Sequence, residues 1–380
     1  MKKCVVISCF DYYTTRTKQV LRIFEEKGYK TTYLISDFNH FSKSKVAAEY
    51  SDCMQISVPA YKKNLSPARL YSHHVFSKGV YRQLCKIKPE VIYCMIPPNS
   101  LVRDVVKYKQ RIGAYVIFDC YDMWPESFPY EKYGKLLAFP FNKWRKLRDD
   151  YVESADKMIV VSEAGKIGWN KLHPNMEVAV VPPYIEAGKL PESKEFHPGE
   201  ISFCYLGMIN HITDTELGVR FLGELQKKWH VTLHLIGEGQ NKDAFVSSLE
   251  QAGVTVVQHG VVFDMDKKNE IFSQCDMGLN IPRPEIKSTM PLKGVEYMRA
   301  GLPFVNAGLG DVCTIVHSEQ IGINVDEQSV NETVARIFAM DEATMNKMRG
   351  NCAAYYGRQS VTHDFDKILL ACDNENESLT

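Results

Sequence analysis

The residues best suited to chemistry lie in the segment 291–296, Pro-Leu-Lys-Gly-Val-Glu. Ser288 or Thr289 can cap a helix that has Pro291 in its first turn, where a missing N–H costs nothing. The Gly-Leu-Pro sequence at 301–303 then ends this helix. The free backbone N–H groups and the dipole of such an N-terminus suit a phosphate or diphosphate.

Lys293 and Glu296 stand three residues apart on this helix and therefore project to roughly the same side. Lys293 adds a positive charge in the first turn, and the Glu296 carboxylate can accept the paired hydroxyls of a ribose. This order of groups predicts a site for a nucleoside diphosphate. The alternative is a surface helix with a Lys293–Glu296 ion pair worth about 0.3 kcal/mol.

Short apolar runs alternate along the chain with longer amphipathic stretches, the pattern of a parallel sheet covered by helices. The predicted strands are Val5–Ser8, Lys30–Leu34, Val91–Met95, Tyr115–Phe118, Met158–Val161, Val178–Val181, then Ile201–Gly207, Val231–Ile236, Val254–His259, Met277–Ile281 and Phe304–Asn306. The predicted helices of the first half are Thr17–Lys27, Leu70–Lys86, Ser100–Arg111 and Asn142–Ser154.

A stretch rich in Pro, Glu and Lys separates the two series of strands and predicts a linker at 185–199. We therefore expect an N-terminal Rossmann-like domain over 1–184 and a C-terminal one over 200–350. A final helix over 351–380 is expected to pack back on the N-terminal domain. Ligands of such sheets collect at the carboxyl ends of the strands.

Composition limits the classes of function. The 380 residues carry 46 Lys and Arg against 46 Asp and Glu, a balance that argues against a nucleic-acid partner. No stretch approaches the roughly 18 apolar residues of a membrane-spanning helix. The 11 cysteines occur without C-x-x-C pairs, which indicates free thiols in a reducing cytoplasm rather than a metal site.

The sequence P-L-K-x-x-E-Y-M-x-A-G-x-P at 291–303 resembles the signature of GT-B fold glycosyltransferases of the group-4 type, the bacterial enzymes of surface and capsular polysaccharides. Segments 205–210, 235–239, 275–279 and 118–127 resemble further landmarks of that family. The resemblance implies two facing doubly wound Rossmann-like α/β domains with an interdomain cleft. It also implies that Glu296 holds the nucleotide ribose.

The resemblance and the placement of loops together give the candidate site residues. Asp122 follows a strand and is expected to accept a proton from the acceptor hydroxyl or to hold the acceptor, unless it is only a loop or helix cap. The acceptor side is expected to include Asp11, Tyr12, Trp124 and Glu126. The nucleotide-sugar side is expected to include Gly207, Asn210, Gly237, Arg283, Ser288, Thr289, Lys293 and Glu296.

The sequence departs from the family pattern at two places. The second acid of the family falls at Ser288, and Met208 stands after Gly207 where many members have a Gly-Arg…Lys pair for the diphosphate. Arg283, Lys287 or Lys293 can substitute electrostatically. These departures keep open a degenerate scaffold of a polysaccharide assembly complex, and the shared fold keeps open a sugar-nucleotide epimerase.

Metal and nicotinamide chemistry are not expected. Asp264-Met265-Asp266 matches a D-x-D metal pattern, but a helix capped by Asp264 or Asp266 explains it better. The sequence at 237–239 lacks the third glycine of a dinucleotide fingerprint. His73 and His74 are adjacent on a helix and cannot ligate one metal together. We expect no metal and no cofactor besides the donor substrate.

Two basic stretches, 61–88 and 132–148, mix cations with aromatic and apolar residues. Such stretches suit an anionic membrane surface, although a helix with a solvated charged face is an equal alternative. The resemblance implies a metal-independent, retaining hexosyl- or N-acetylhexosaminyltransferase that uses a nucleotide diphosphate-sugar and a saccharide acceptor linked to polyprenyl diphosphate. Such an enzyme would be cytoplasmic, at the inner face of the membrane.

Overall fold

The structure is a computed structural model that describes residues 1–40, 42–47, 53–64, 66–126, 135–185, 188–286 and 290–359. Contacts divide these residues into two compact units, one ending at Pro182 and one beginning at Pro183. Each unit contains a parallel sheet with helices between its strands. The α/β class predicted from the alternating pattern is therefore confirmed.

The first unit has a parallel sheet of seven strands in the order β5-β2-β1-β6-β7-β8-β9 and a small antiparallel pair, β3 and β4. The strands are β1 Lys3–Ser8, β2 Lys30–Ser36, β3 Phe38–Asn39, β4 Ser44–Lys45, β5 Cys53–Ile56, β6 Val91–Ile96, β7 Tyr115–Cys120, β8 Lys157–Val160 and β9 Val178–Val180. The helices are α1 Thr14–Glu26, α2 Pro67–Ile87, α3 Asn99–Ile112, α4 Lys135–Asp149 and α5 Glu163–Leu172.

The second unit has a parallel sheet of six strands in the order β12-β11-β10-β13-β14-β15. The strands are β10 Glu200–Leu206, β11 His230–Ile236, β12 Thr255–Gly260, β13 Met277–Asn280, β14 Phe304–Asn306 and β15 Gly322–Asn324. The helices are α6 Thr215–Gln226, α7 Lys242–Gln251, α8 Met265–Ser273, α9 Leu292–Arg299, α10 Asp311–Ser318, α11 Val330–Phe338 and α12 Glu342–Arg358.

The predicted strands all form, with ends that differ by a few residues. β6 and β7 are buried at every position, which explains why their sequences are apolar throughout rather than alternating. β5 and β15 were not predicted, because the first has only one fully buried residue and the second has only three residues. α4 begins before the predicted Asn142 and contains Pro140, a residue that normally argues against a helix interior.

Strand order reverses between β1 and β6 in the first sheet and between β10 and β13 in the second. Ligands of doubly wound sheets bind outside the carboxyl ends of strands at such switch points. In the second unit the position is marked by Gly207 after β10 and by α9, which follows β13. In the first unit it is marked by a short 3₁₀ helix, Asp11–Tyr13, after β1.

Tyr297 fixes α9 to the second sheet. Its buried hydroxyl donates to the Cys204 carbonyl at 2.9 Å and accepts from the Leu206 N–H at 3.0 Å. Gly278 of β13 leaves room for the ring, since a Cβ there would lie 2.5 Å from a carbon of the Tyr297 ring. The buried contacts of Tyr297 therefore fix the position of α9 against β10 and β13.

We expect Tyr297→Phe to lower the free energy of unfolding by about 1–3 kcal/mol, because it leaves the Cys204 carbonyl and the Leu206 N–H without their hydroxyl partner. Chemical denaturation measures the change. Tyr71→Phe is the matched control, since Tyr71 is 60% exposed and its loss should cost less than about 0.5 kcal/mol. Equal stability of Tyr297→Phe and the parent would contradict the assignment.

The C-terminal part of the second unit contains α12, which packs against α9 through a cluster that includes Cys352, Tyr355 and Met298. The helix predicted over 351–380 stays a prediction beyond residue 359, where the chain lies outside the described residues. In the linker, residues 185 and 188–199 form no helix or strand. Within the described residues, no helix is both long enough and apolar enough to cross a bilayer.

Candidate functional site

Gly207 and Gly237 bring the ends of β10 and β11 into direct contact. Gly207 has φ +118°, and a Cβ on Gly237 would lie 2.0 Å from the Gly207 carbonyl oxygen. The Gly207 N–H also donates to the Ile236 carbonyl at 2.8 Å. Both positions require glycine, and together they present bare backbone at the switch point of the sheet.

Lys293 reaches this glycine turn from the first turn of α9. Its Nζ lies 4.1 Å from the centre of the Tyr205 ring, and a Cβ on Gly207 would lie 3.7 Å from the same nitrogen. The structure thus brings Gly207, Gly237 and Lys293 together, three of the residues predicted for the nucleotide-sugar. A cation beside a glycine turn suits a diphosphate.

Glu296 is joined to Lys268 of α8, not to Lys293. The Lys268 Nζ lies 2.7 and 2.8 Å from the two carboxylate oxygens, and the two side chains are only 9% and 14% exposed. The sequence alternative of a Lys293–Glu296 pair is not formed. Sequence reasoning missed Lys268, although its spacing from the buried Ile271 and Phe272 could have placed it on the inner face of α8.

We expect Lys268→Met to lower the free energy of unfolding by about 1–3 kcal/mol, because it leaves the largely buried Glu296 carboxylate without its cationic partner. A double-mutant cycle with Glu296→Gln, measured by chemical denaturation, should give a coupling of at least about 0.5 kcal/mol.

Lys267→Met is the control, since Lys267 is the exposed neighbour on the same helix. Additive effects of Lys268→Met and Glu296→Gln would show that the pair contributes nothing to stability.

Asn210 and Arg283 shape the loop beside the glycine turn. The Asn210 side chain accepts from the Ile212 N–H at 3.0 Å, and the Arg283 N–H donates to the Ile212 carbonyl at 2.9 Å. The Arg283 guanidinium lies 3.9 Å from Glu216. Among the described residues, no hydrogen bond or ion pair joins either side chain to Lys293 or Glu296. The predicted Ser288 and Thr289 lie outside the described residues, as does Lys287.

Asp264 caps α8, since its side chain accepts from the Lys267 N–H at 2.9 Å. The capping explanation of the D-x-D sequence is therefore confirmed. α9 begins at Leu292, and its N-cap residue is Pro291, which provides no side-chain cap. The prediction that Ser288 or Thr289 caps this helix, with Pro291 in its first turn, is therefore wrong. It ends at Arg299, followed by Gly301 with φ +66°, as the glycine predicts.

In the first unit, the ends of β1 and β7 carry an aromatic cluster centred on Phe10. The rings within 6 Å of Phe10, centre to centre, belong to Tyr12, Tyr13, His40, His73 and Trp124. Tyr61 joins the cluster through His40 and His73. Tyr12 and Trp124, both predicted for the acceptor side, are thus brought together through Phe10.

The two predicted aspartates lie at this cluster. Asp122 accepts from the Tyr13 hydroxyl at 3.0 Å, and Asp11 accepts from the Asn39 amide. Burial raises the pKa of Asp122, against the opposing effects of the Tyr13 hydrogen bond and the Arg69 charge. A carboxylate with a raised pKa is a better proton acceptor than an exposed one.

Glu126 is held in an ion pair with Arg148. The carboxylate lies 2.7 and 3.1 Å from the Arg148 guanidinium, which also donates to the Trp124 carbonyl at 2.9 Å. The Arg148 side chain is 1% exposed. The structure therefore gives Glu126 a role in holding the Trp124 loop, whatever its part in binding an acceptor.

Each basic stretch contains both buried and exposed side chains. In 61–88, Arg69 is buried while Tyr71 is 60% exposed, and in 132–148 Arg148 is buried while Phe139 is 76% exposed. Residues 132–134 lie outside the described part of the chain. Arg69 and His73 are further members of the first-unit site that the sequence interpretation left unassigned, because periodicity alone does not show which helix face carries function.

Comparisons with known proteins give one family match and several similar structures. Residues 201–340 match the family model described as glycosyl transferases group 1. No curated protein sequence is detectably similar to the chain.

Among solved structures, the chain is similar to sucrose-phosphate synthase from Thermosynechococcus elongatus, with a TM-score of 0.73, 13% identity, and coverage of 99% of this chain and 100% of that one. It is similar to Anabaena HepE in complex with UDP and glucose, with a TM-score of 0.68, 13% identity, and coverage of 98% and 100%. It is also similar to WaaG, a glycosyltransferase involved in lipopolysaccharide biosynthesis, with a TM-score of 0.66, 12% identity, and coverage of 96% and 98%.

The fold is therefore GT-B, with two Rossmann-like halves, as the sequence resemblance implies. The second unit carries the domain of the glycosyl transferases group 1, and the resemblance stated from the residues at 291–303 is confirmed. The chain is an enzyme, a glycosyltransferase.

Proposed function

We propose that this glycosyltransferase moves a sugar from a nucleotide diphosphate-sugar, bound by the second unit, to a saccharide acceptor bound by the first. The observation that carries the proposal is the convergence of Gly207, Gly237 and Lys293 at the switch point of the second sheet. The solved structure of HepE, which has a similar fold, holds UDP and glucose. The sugar is of the hexosyl or N-acetylhexosaminyl type.

The donor site is proposed from its chemistry. The backbone beside Gly207 and the Lys293 ammonium face the diphosphate, which is the leaving group and gains negative charge as the glycosidic bond breaks. Glu296 accepts hydrogen bonds from the ribose hydroxyls, and Asn210 and Arg283 border the diphosphate from the neighbouring loop. With Lys293 and the helix dipole stabilising the leaving group, the reaction proceeds without a divalent metal.

The acceptor side is proposed at the aromatic cluster, with Asp11, Tyr12, Asp122 and Trp124 in contact with the saccharide. Its hydroxyl oxygen bonds to the anomeric carbon as the carbon–diphosphate bond breaks, and its proton passes to the Asp122 carboxylate. The acceptor hydroxyl attacks on the face from which the diphosphate departs, so that the reaction retains configuration at the anomeric carbon, a proposal that rests on the family resemblance.

We place the reaction in surface polysaccharide biosynthesis, of capsule or lipopolysaccharide, with an acceptor linked to polyprenyl diphosphate. WaaG, which has a similar fold, is a glycosyltransferase of lipopolysaccharide biosynthesis. The enzyme would work in the cytoplasm at the inner face of the membrane, through the exposed Phe139 and Tyr71 and the cations around them.

The test is a screen of nucleotide diphosphate-sugars for turnover by the full chain, with and without saccharide acceptors and with and without EDTA. We expect one donor to release its nucleotide only when an acceptor is present, at a rate that EDTA does not change. Release without any acceptor would favour an epimerase or hydrolase, and loss of activity in EDTA would exclude the metal-free mechanism.

The proposed role of Asp122 predicts how kcat/KM depends on pH. Because its carboxylate must be ionised to accept the proton and its pKa is raised, kcat/KM should fall as the pH drops through a value above the usual aspartate pKa of about 4. Asp122→Asn should lower kcat by roughly 100-fold or more. Asp266→Asn, at an exposed residue of the first turn of α8, is the control. An unchanged pH profile in Asp122→Asn would exclude this residue as the base.

A further inference from the structure

The first unit contains a buried arginine, Arg69, that has no acidic partner among the described residues. Arg69 is 3% exposed, and its Nη1 donates to the Asn64 carbonyl at 3.0 Å. Its Nε and Nη2 are buried and have no hydrogen-bond partner among the described residues. None of the ion pairs formed within the described residues includes Arg69. An unpaired buried charge is costly, by several kcal/mol or more in the interior of a protein.

Aromatic rings enclose this guanidinium and compensate only part of that cost. Its Cζ lies 4.2 Å from the centre of the Trp124 ring, 5.7 Å from Phe10 and 5.8 Å from Tyr61. Cation–π contacts of this kind contribute roughly 0.5–2 kcal/mol each. These contacts stabilise the positive charge of the guanidinium. They do not provide hydrogen-bond acceptors for the unpartnered N–H groups in its plane.

Other polar groups of the same cluster are also unsatisfied. His73, 2% exposed, stacks at 6.2 Å on Trp124 and has no partner for either ring nitrogen within the described chain. The buried Oδ1 of Asp11 likewise has none there. Buried polar groups are satisfied in nine cases out of ten or more, so several such groups in one cluster indicate a site that a ligand completes.

The electrostatic potential around Arg69 is positive. Burial, and then the charges of Arg69 and Lys43, lower the pKa of His40 to about 3. Burial and the Arg69 charge also hold the pKa of His73 well below its ordinary value. On the other side of the cluster, Asp11, Tyr12 and Asp122 are half-buried, and this is where the cluster reaches the surface.

We propose that Arg69 binds an anionic group of the acceptor, so that the acceptor sugar is acidic: a carboxylate or phosphate pairs with Nε and Nη2, while the rings pack on the sugar. Asp11 and Asp122 accept its hydroxyl groups. A guanidinium pairs with either anion through two parallel hydrogen bonds. The inference rests on the proposed function, since it names the class of acceptor for the same site.

Three probes distinguish the two possible sources of the anion. Methyl glucuronide carries a uronate carboxylate, glucose 6-phosphate carries a phosphate ester, and methyl glucoside is neutral. Their dissociation constants for the full chain are measured by saturation-transfer NMR. We expect at least one anionic probe to bind about tenfold or more tightly than the neutral one. The tighter anion identifies the source. Equal affinity of all three probes in the parent protein would overturn the inference.

The variants are Arg69→Met, Arg69→Lys and, as a matched control, Arg82→Met, which changes an exposed arginine of the same helix. Arg69→Met should remove the preference for the anionic probe, Arg69→Lys should restore part of it, and Arg82→Met should keep it. A preference that survives in Arg69→Met would contradict the assignment.

Two further measurements keep the outcomes separate. UDP binding, measured in each variant, reports on the second unit and should be unchanged, and the circular dichroism and thermal unfolding of each variant show whether the first unit is folded. If Arg69→Met does not fold, the comparison of probes in the parent protein still decides the inference. If the parent protein turns over a nucleotide-sugar but shows no preference for an anionic probe, the acidic acceptor alone is refuted. Absence of any nucleotide-sugar turnover would refute the proposed function.

Discussion

The hydroxyl of Tyr297 is the contact on which the donor site depends. It bonds to backbone groups at the end of β10, while its ring occupies the space that Gly278 leaves on β13. This contact sets the rotation of α9 about its axis, because Tyr297 points into the sheet. Lys293, one turn earlier, is then directed to Gly207, and Glu296 is directed to Lys268. Catalytic and binding groups must be held within fractions of an ångström, and such precision comes from helices and strands locked by buried contacts.

The first unit handles polar groups differently. Asp119 and Arg16 form a buried ion pair at the end of β7, and Glu126 and Arg148 form another behind Trp124. Arg69 and His73 are buried against the Trp124 ring of the same cluster, and they have no such partners among the described residues. A chain that pairs its structural charges and leaves a neighbouring one unpaired gives up stability at that place. Such local losses of stability are typical of binding sites whose polar groups are satisfied only when a ligand is bound.

Much of the fold could be predicted from the sequence, because buried parallel strands such as β6 leave continuous apolar runs and because Gly301 and Pro303 end α9 unmistakably. The candidate donor residues on α9 could be proposed for the same reason: their spacing fixes their side of the helix. Spacing indicates the inner face of α8 for Lys268 but not its contact with Glu296, and it does not indicate the role of Arg69. Each acts through a contact with residues distant in the sequence, and a buried lysine or arginine looks the same in the sequence as a solvated one. The membrane interpretation of 61–88 shows the consequence, since it counted Arg69 among surface cations.

The central claim is that Glu296 holds the ribose of the donor nucleotide. The most direct test is a thermodynamic cycle that compares UDP with 2′,3′-dideoxy-UDP, measured by calorimetry on the parent protein and on Glu296→Ala. If the carboxylate accepts the ribose diol, the parent should bind UDP about tenfold or more tightly than the dideoxy analogue, and Glu296→Ala should bind the two equally. A preference for UDP that persists unchanged in Glu296→Ala would contradict the account.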